Sequence, residues 1–177
     1  MRKLKNDELD RLTLEEFKET EKLPLVLILD NVRSMNNVGS AFRTSDAFAI
    51  EKIYLCGITA QPPHREINKT ALGATESVDW EHAENTATLC QNLQQQGYKV
   101  LAVEQADNST SLENFKIKKD QKYALVFGNE VFGVEDKVVE VADGCLEIPQ
   151  FGTKHSLNIS VSIGVVLWDL TSKIKFG

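Results

Sequence analysis

Short unbroken apolar runs alternate with amphipathic stretches along most of this chain. The first run, residues 25–29 (LVLIL), stops at Asp30 and Asn31. A run without polar interruption is the pattern of a parallel strand buried on both faces. Residues 38–48 suit a helix and 52–57 (KIYLCG) a second strand, so the three segments predict a β-α-β unit. Pro62 and Pro63 mark a loop, 67–72 a short helix and 77–80 a short extended piece. Residues 82–96 carry Leu89 and Leu93 at helical spacing, with Gly97 as a C-terminal stop, and predict a helix. Strands follow at 98–103 and 123–128, separated by a loop that is polar through Ser111. Residues 134–142 predict a helix and 145–149 the last strand, since Pro149 cannot continue a ladder inside a sheet.

The segment 156–175 is ambiguous by period, because Ile159, Val161, Ile163 and Val165 alternate as a strand would. Its length and the apolar run 165–168 decide for a helix buried on two sides, one against the sheet and one against a surface that a partner subunit supplies. Residues 1–22 are charged and place Thr13 three positions before Glu16. That is the spacing of a capping box, so an N-terminal helical extension is expected before a single globular domain at 23–177. Alternation of strand and helix implies an α/β fold with a mainly parallel sheet flanked by helices.

Composition narrows the function. A chain of 177 residues with 42% apolar content builds about one core. Lys and Arg number 20 against 26 Asp and Glu, a net charge of −6, so nucleic acid or an anionic membrane is not attracted in general and a polyanion must meet a local basic patch. Cys56, Cys90 and Cys145 are far apart, and no basic start leads into an apolar signal segment. A cytoplasmic protein is expected. No stretch approaches the roughly 18 apolar residues of a membrane span, so no membrane partner is expected.

The common nucleotide signatures are missing: neither G-x-G-x-x-G after the first strand nor G-x-x-x-x-G-K-[ST] occurs. His64, His82 and His155 lack a second His or Cys at zinc spacing, so no metal is expected. Ser156 beside His155 is not a nucleophile and its base, because neighbours in a helix do not face each other and no G-x-S-x-G elbow exists.

Three polar clusters interrupt the apolar pattern where strands should end: Asn37 through Arg43 with Gly39 between, Gly128-Asn129-Glu130, and Ser156-Leu157-Asn158. Ligands of open α/β sheets bind beyond the strand carboxyl ends. Each cluster also has an ordinary explanation. Arg43, among Val38, Ala41, Phe42 and Phe48, has to find an anion, and a salt bridge to Glu130 or Asp46 would serve. Gly128 allows close backbone approach to a ligand or makes a plain turn. Ser156 would be a helix N-cap.

In order and joint content the clusters resemble the motifs of the SpoU (TrmH-type) branch of the SPOUT RNA 2′-O-ribose methyltransferases. Asn37, Val38, Gly39 and Arg43 look like its first motif, Phe127 to Glu130 with Gly133 its second, and Ile148-Pro149 through Ser156 to Ser162 its third. The resemblance spans about residues 23–170 and implies a SPOUT-type fold with a C-terminal deep trefoil knot. It implies S-adenosylmethionine bound in the knot loops, largely by backbone groups, at Val103, Glu104, Gly128, Ile148, Ser156 and Leu157. It further implies an RNA substrate (tRNA or rRNA) and a homodimer in which Arg43 of one subunit reaches the other's cofactor pocket. Arg43 is then a phosphate clamp that stabilises a developing alkoxide, since an Arg is a poor general base. Asn37, Glu130, Ser156 and Asn158 complete the catalytic set, with Asn37, Glu130 and Asn158 orienting the nucleotide and Arg43. Arg33, Arg65, Lys69, Lys154 and His155 are the candidates for RNA contact, with Arg2, Lys3 and Lys5 adding reach. The competing readings are a catalytically inactive SPOUT-fold module that binds RNA or protein, and a small-molecule α/β enzyme using another nucleotide.

Overall fold

The computed structural model describes residues 1–5 and 8–177; positions 6 and 7 of the expected N-terminal extension lie outside them. Among the described residues seven strands, β1 (Leu23–Asp30), β2 (Ile50–Cys56), β3 (Trp80–Ala83), β4 (Tyr98–Val103), β5 (Thr110–Ser111), β6 (Lys122–Phe127) and β7 (Gly144–Glu147), form one sheet. Its order is β3-β2-β1-β6-β4-β7-β5, and every neighbouring pair is parallel. The helices are α1 (Leu14–Glu19), α2 (Met35–Ala47), α3 (Arg65–Ala71), α4 (Ala74–Ser77), α5 (Thr86–Gln95), α6 (Asp136–Val141) and α7 (Ile159–Phe176). The expected α/β class with a parallel sheet is the class observed.

β1 is apolar without interruption because both its faces are covered. Leu25, Leu27 and Leu29 join Val38 and Phe42 of α2, Ile67 of α3 and Ile163 and Val166 of α7 in one cluster. Val26 and Ile28 join Cys90 and Leu93 of α5 and Val138 of α6 in another. Two helical layers therefore sandwich the sheet. Thr13 and Glu16 make the expected capping box at α1, with Glu16 N donating to Thr13 Oγ1 at 3.2 Å and Thr13 N to Glu16 Oε2 at 2.8 Å.

Several boundaries differ from the pattern reading. The extended piece expected at 77–80 is β3 at Trp80–Ala83, because these residues pair with Ile53 to Cys56 of β2, while Ser77 ends α4. The following helix consequently begins at Thr86, where the Asn85 side chain accepts from Thr88 N at 2.8 Å. The two-residue β5 has no sequence signal of its own and forms only by pairing with Leu146 and Glu147 of β7. Asn158, not Ser156, caps α7. α7 buries one side through Ile163, Val166, Leu167 and Leu170, but Val161, Val165 and Trp168 on the rest of its surface are 50%, 38% and 57% exposed. Among the described residues nothing covers this second side fully. No helix among the described residues is long and apolar enough to cross a membrane.

Candidate active site

β4, β6 and β7 end side by side at the carboxyl edge of the sheet, where open parallel sheets take ligands. A cavity of about 500 Å³ opens there. Val103 and Glu104 reach it from the end of β4, Gly128 from β6, Ile148 from β7, and Ser156 and Leu157 from the approach to α7. All six residues expected to hold a cofactor thus line one cavity, together with Glu130 and Asn158. Leu146 adds to its apolar wall.

The wall formed by the loop after β6 is braced from within. Asn129 and Gly133 exchange backbone bonds of 2.8 and 2.9 Å. Asn129 Oδ1 accepts from the amides of Val131 (2.9 Å) and Phe132 (3.2 Å), and its Nδ2 donates to Asn31 O at 2.7 Å. A Cβ on Gly128 would fall 2.0 Å from the Gly133 carbonyl carbon and 2.1 Å from Val134 N. The chain's own loop is therefore enough to demand a glycine here, and Gly128 still lines the cavity. Glu104 ties β4 to the same loop, accepting from Gln105 N at 2.9 Å and Val134 N at 3.2 Å.

Beneath the loop lies a buried carboxylate that the sequence reading did not single out. Asp30 is 0% exposed and accepts from Thr86 Oγ1 (2.6 Å), Asn31 Nδ2 (3.0 Å) and Glu135 N (3.0 Å). Three donors compensate its desolvation and couple β1 to the starts of α5 and α6. The available signal was an acid and an amide closing a strand buried on both faces.

Glu130 turns toward the start of α2. Its Oε2 accepts from Arg33 N and its Oε1 from Ser34 N and Asn37 Nδ2, each at 3.0 Å. Partial burial alone would push this carboxyl up. The bonds from the Arg33 amide, the Asn37 side chain and the Ser34 amide outweigh it and hold the group below the usual carboxylate range. Asn158 Nδ2 approaches Asn37 Oδ1 at 3.4 Å, so Glu130, Asn37 and Asn158 form one chain through all three motif segments. Asn158 Oδ1 also accepts from Ser160 N at 2.9 Å and Ser160 Oγ at 2.6 Å, which fixes the start of α7.

Arg43 stands apart. It is exposed on α2 and lines a second cavity, of about 590 Å³, with Asp10, Thr13, Asp46 and Ser77. Neither expected salt bridge forms: Asp46 accepts from Ser77 Oγ and Glu130 is taken by the Arg33 and Ser34 amides before α2, so Glu130 does not orient Arg43 within one chain. Gly39, from the same motif, serves packing, since a Cβ there would meet Thr70 Oγ1 at 2.1 Å and Ile67 O at 2.2 Å. The histidines have local duties. His64 Nδ1 accepts from Glu66 N at 3.2 Å, His82 Nε2 lies 3.1 Å from Gly57 O, and the His155 carbonyl accepts from Gln105 Nε2 at 2.8 Å. Among the candidate cations, Arg2 is engaged by Glu8 at 2.7 Å, and Arg65 and Lys69 each lie 4.0 Å from Glu66. No cluster of three His, Cys, Asp or Glu side chains that would hold a metal ion occurs among the described residues.

A sequence model of the SpoU rRNA Methylase family matches residues 24–168. The chain belongs to the SpoU rRNA methylase family. The SpoU match begins in β1 and ends inside α7, so it takes in the cavity and the Glu130–Asn37–Asn158 chain. A Staphylococcus aureus protein assigned to the TrmH family of tRNA/rRNA methyltransferases is 31% identical over 160 residues, which cover 90% of this chain and 63% of that protein. The 23S rRNA (guanosine-2′-O-)-methyltransferase RlmB of Neisseria meningitidis is 31% identical over 144 residues, 81% of this chain and 56% of RlmB. This SpoU chain thus spans less than two thirds of the length of the curated relatives it matches. The crystal structure of an AdoMet-bound rRNA methyltransferase from Sinorhizobium meliloti superposes with a TM-score of 0.80 at 25% identity, covering 91% of this chain and 61% of that one.

Proposed function

We propose that this chain is an S-adenosylmethionine-dependent methyltransferase acting on a ribose 2′-hydroxyl of tRNA or rRNA, and that it works in the cytoplasm as a homodimer without metal. The observation that carries this reading is the convergence of the second and third motif segments on one cavity at the sheet's carboxyl edge, with the first tied in through Asn37. In this reading residues 23–177 are one domain with 1–22 as its extension, and the segments after β6 and β7 belong to a deep trefoil knot.

The cavity suits the cofactor. About 500 Å³ lies within the range of small-molecule sites, and Val103, Ile148 and Leu157 make an apolar slot of the kind an adenine needs. Glu104, Gly128 and Ser156 bring polar and backbone groups to it. When bound, S-adenosylmethionine supplies a sulfonium-activated methyl group. What the protein's residues do is position the acceptor. Asn158 and Asn37 face the nucleotide, Glu130 holds Asn37 in place, and Arg43 clamps the phosphate and stabilises negative charge developing on the 2′-oxygen. The name of the Neisseria relative, a guanosine-2′-O-methyltransferase, supports ribose as the acceptor. The exposure of Val161, Val165 and Trp168 on α7 supports a dimer.

One observation favours a second reading, an inactive SPOUT-fold module that binds RNA or protein: Arg43 lies outside the cofactor cavity of its own chain. Calorimetry separates the two. Heat on titration with S-adenosylmethionine and S-adenosylhomocysteine is expected, followed by new 2′-O-methyl marks on RNA from cells lacking the protein. Absence of heat with both ligands eliminates the enzyme reading.

A further inference from the structure

The mouth of the cavity displays an aromatic ring that the proposed chemistry has not used. Phe132 lines the cavity and is 84% exposed, and Val131 beside it is 66% exposed. A single apolar side chain at a surface is ordinary. This one sits on a turn whose direction is set, because both the Val131 and Phe132 amides donate to Asn129 Oδ1 and the Asn129–Gly133 bridge closes the loop. Gln150 lines the same cavity, and Phe151 next to it is 98% exposed. The charged groups lining the cavity are Glu104 and Glu130, and the chain's net charge is −6, so the lining itself offers no cation to a base, and the phosphate clamp proposed for Arg43 does not grip one. Unpaired RNA bases are commonly held by stacking on aromatic side chains, an interaction that needs no cation.

We infer that Phe132 is a nucleotide-positioning residue: an unpaired base of the RNA, at or beside the acceptor nucleotide, stacks on its ring at the mouth of the cavity. The inference rests on the methyltransferase reading and adds to it the element that grips the base. Asn129 then acts through Phe132, presenting the ring in a fixed direction before RNA arrives and lowering the ordering cost of binding.

The test uses the full chain, tritiated S-adenosylmethionine, and unfractionated tRNA and rRNA from cells lacking the protein. Phe132→Ala and Phe132→Leu are expected to raise the KM for RNA about ten- to a hundred-fold, with a smaller change in kcat, while Phe132→Tyr stays near wild type. Calorimetric heat with S-adenosylmethionine and the sedimentation coefficient are expected to be unchanged in all three. An unchanged KM in Phe132→Ala, or a Leu variant as good as Tyr, overturns the stacking inference and leaves the methyltransferase reading intact. Loss of cofactor heat or a shift in sedimentation in the variants overturns it too, by showing a cofactor lid or a subunit contact. Wild-type protein that gives neither cofactor heat nor methyl transfer overturns the underlying reading.

Discussion

Glu130 Oε1 accepts a hydrogen bond from Asn37 Nδ2 at 3.0 Å, although 93 positions separate the two residues in the chain. The contact binds the loop after β6 to the first turn of α2, and the same carboxylate also satisfies the amides of Arg33 and Ser34 just before that helix. It joins the first two motif segments directly, and Asn158 extends it to the third.

The linkage has a pH signature. The Glu130 carboxyl is held below its ordinary value of 4.5, so its stabilising contribution is complete above that value and is lost as pH falls through the lower folded-state value. Glu130→Gln is expected to cost about 1 kcal/mol at neutral pH, a figure reduced for the exposure of the residue. Urea unfolding of both proteins from neutral to acid pH is expected to give curves offset at neutrality that converge in acid. An offset constant through the acid range contradicts the assignment.

Gly39→Ala is expected to destabilise by about 1–3 kcal/mol, because the added methyl overpacks the contact between α2 and α3. It would press on Thr70 Oγ1 at 2.1 Å and on the Ile67 carbonyl oxygen at 2.2 Å. Thr70→Ala removes the first obstacle but not the second, which is backbone. The double variant should therefore recover only part of the loss in urea midpoint.

Arg43→Ala is expected to leave stability within about 0.5 kcal/mol, since the side chain is exposed and has no ion pair among the described residues. Methylation should nevertheless collapse. If Arg43 serves the partner's cavity, mixing Arg43→Ala with Asn158→Ala should restore activity in about a quarter of all sites, because in a symmetric dimer half the random pairs are mixed and each holds one complete site. No recovery on mixing places both groups in the same subunit's site.

Native thiol chemistry should be slow. Burial pushes Cys56 and Cys90 up to about 12, and it also raises the half-buried Cys145. Thiolate is the reactive form, so at neutral pH a disulfide reagent is expected to modify Cys145 slowly and the other two only on unfolding. Rapid labelling of two or more thiols in the native protein contradicts the burial of Cys56 and Cys90 on the α5 side of the sheet.

The main strands were legible because each carries a short apolar run, and in β1 and β6 that run is buried on both faces. Residues 25–29, 52–57, 98–103 and 123–128 all fall on β1, β2, β4 and β6 within a few positions. β3 and β5 were displaced or missed because four and two residues of mixed polarity become strands only when a neighbour offers its backbone. The N-cap of α7 fell on Asn158 instead of Ser156 for a related reason: both side chains are able caps, and the choice depends on where the preceding segment leaves the cavity.

The lining of the cavity was legible because backbone-binding loops sit at strand ends, which apolar runs mark plainly. The division of labour within the motifs was not. Gly128 admits a ligand or a plain turn in sequence, and the atoms that exclude a Cβ there belong to the chain's own backbone at Gly133 and Val134. Asn129 carries no sequence mark that separates it from a turn residue, yet it braces the loop that presents Phe132.

The sequence alone determined the α/β class, the parallel sheet and the residues that meet at its edge, because period and burial are local properties of composition. Only the tertiary structure decided that Glu130 bonds to the amides before α2 and to Asn37, and that Arg43 faces away from its own cavity. Those outcomes depend on which backbone donors lie within about 3 Å of a carboxylate after the strands have paired, a distance that position along the chain does not encode.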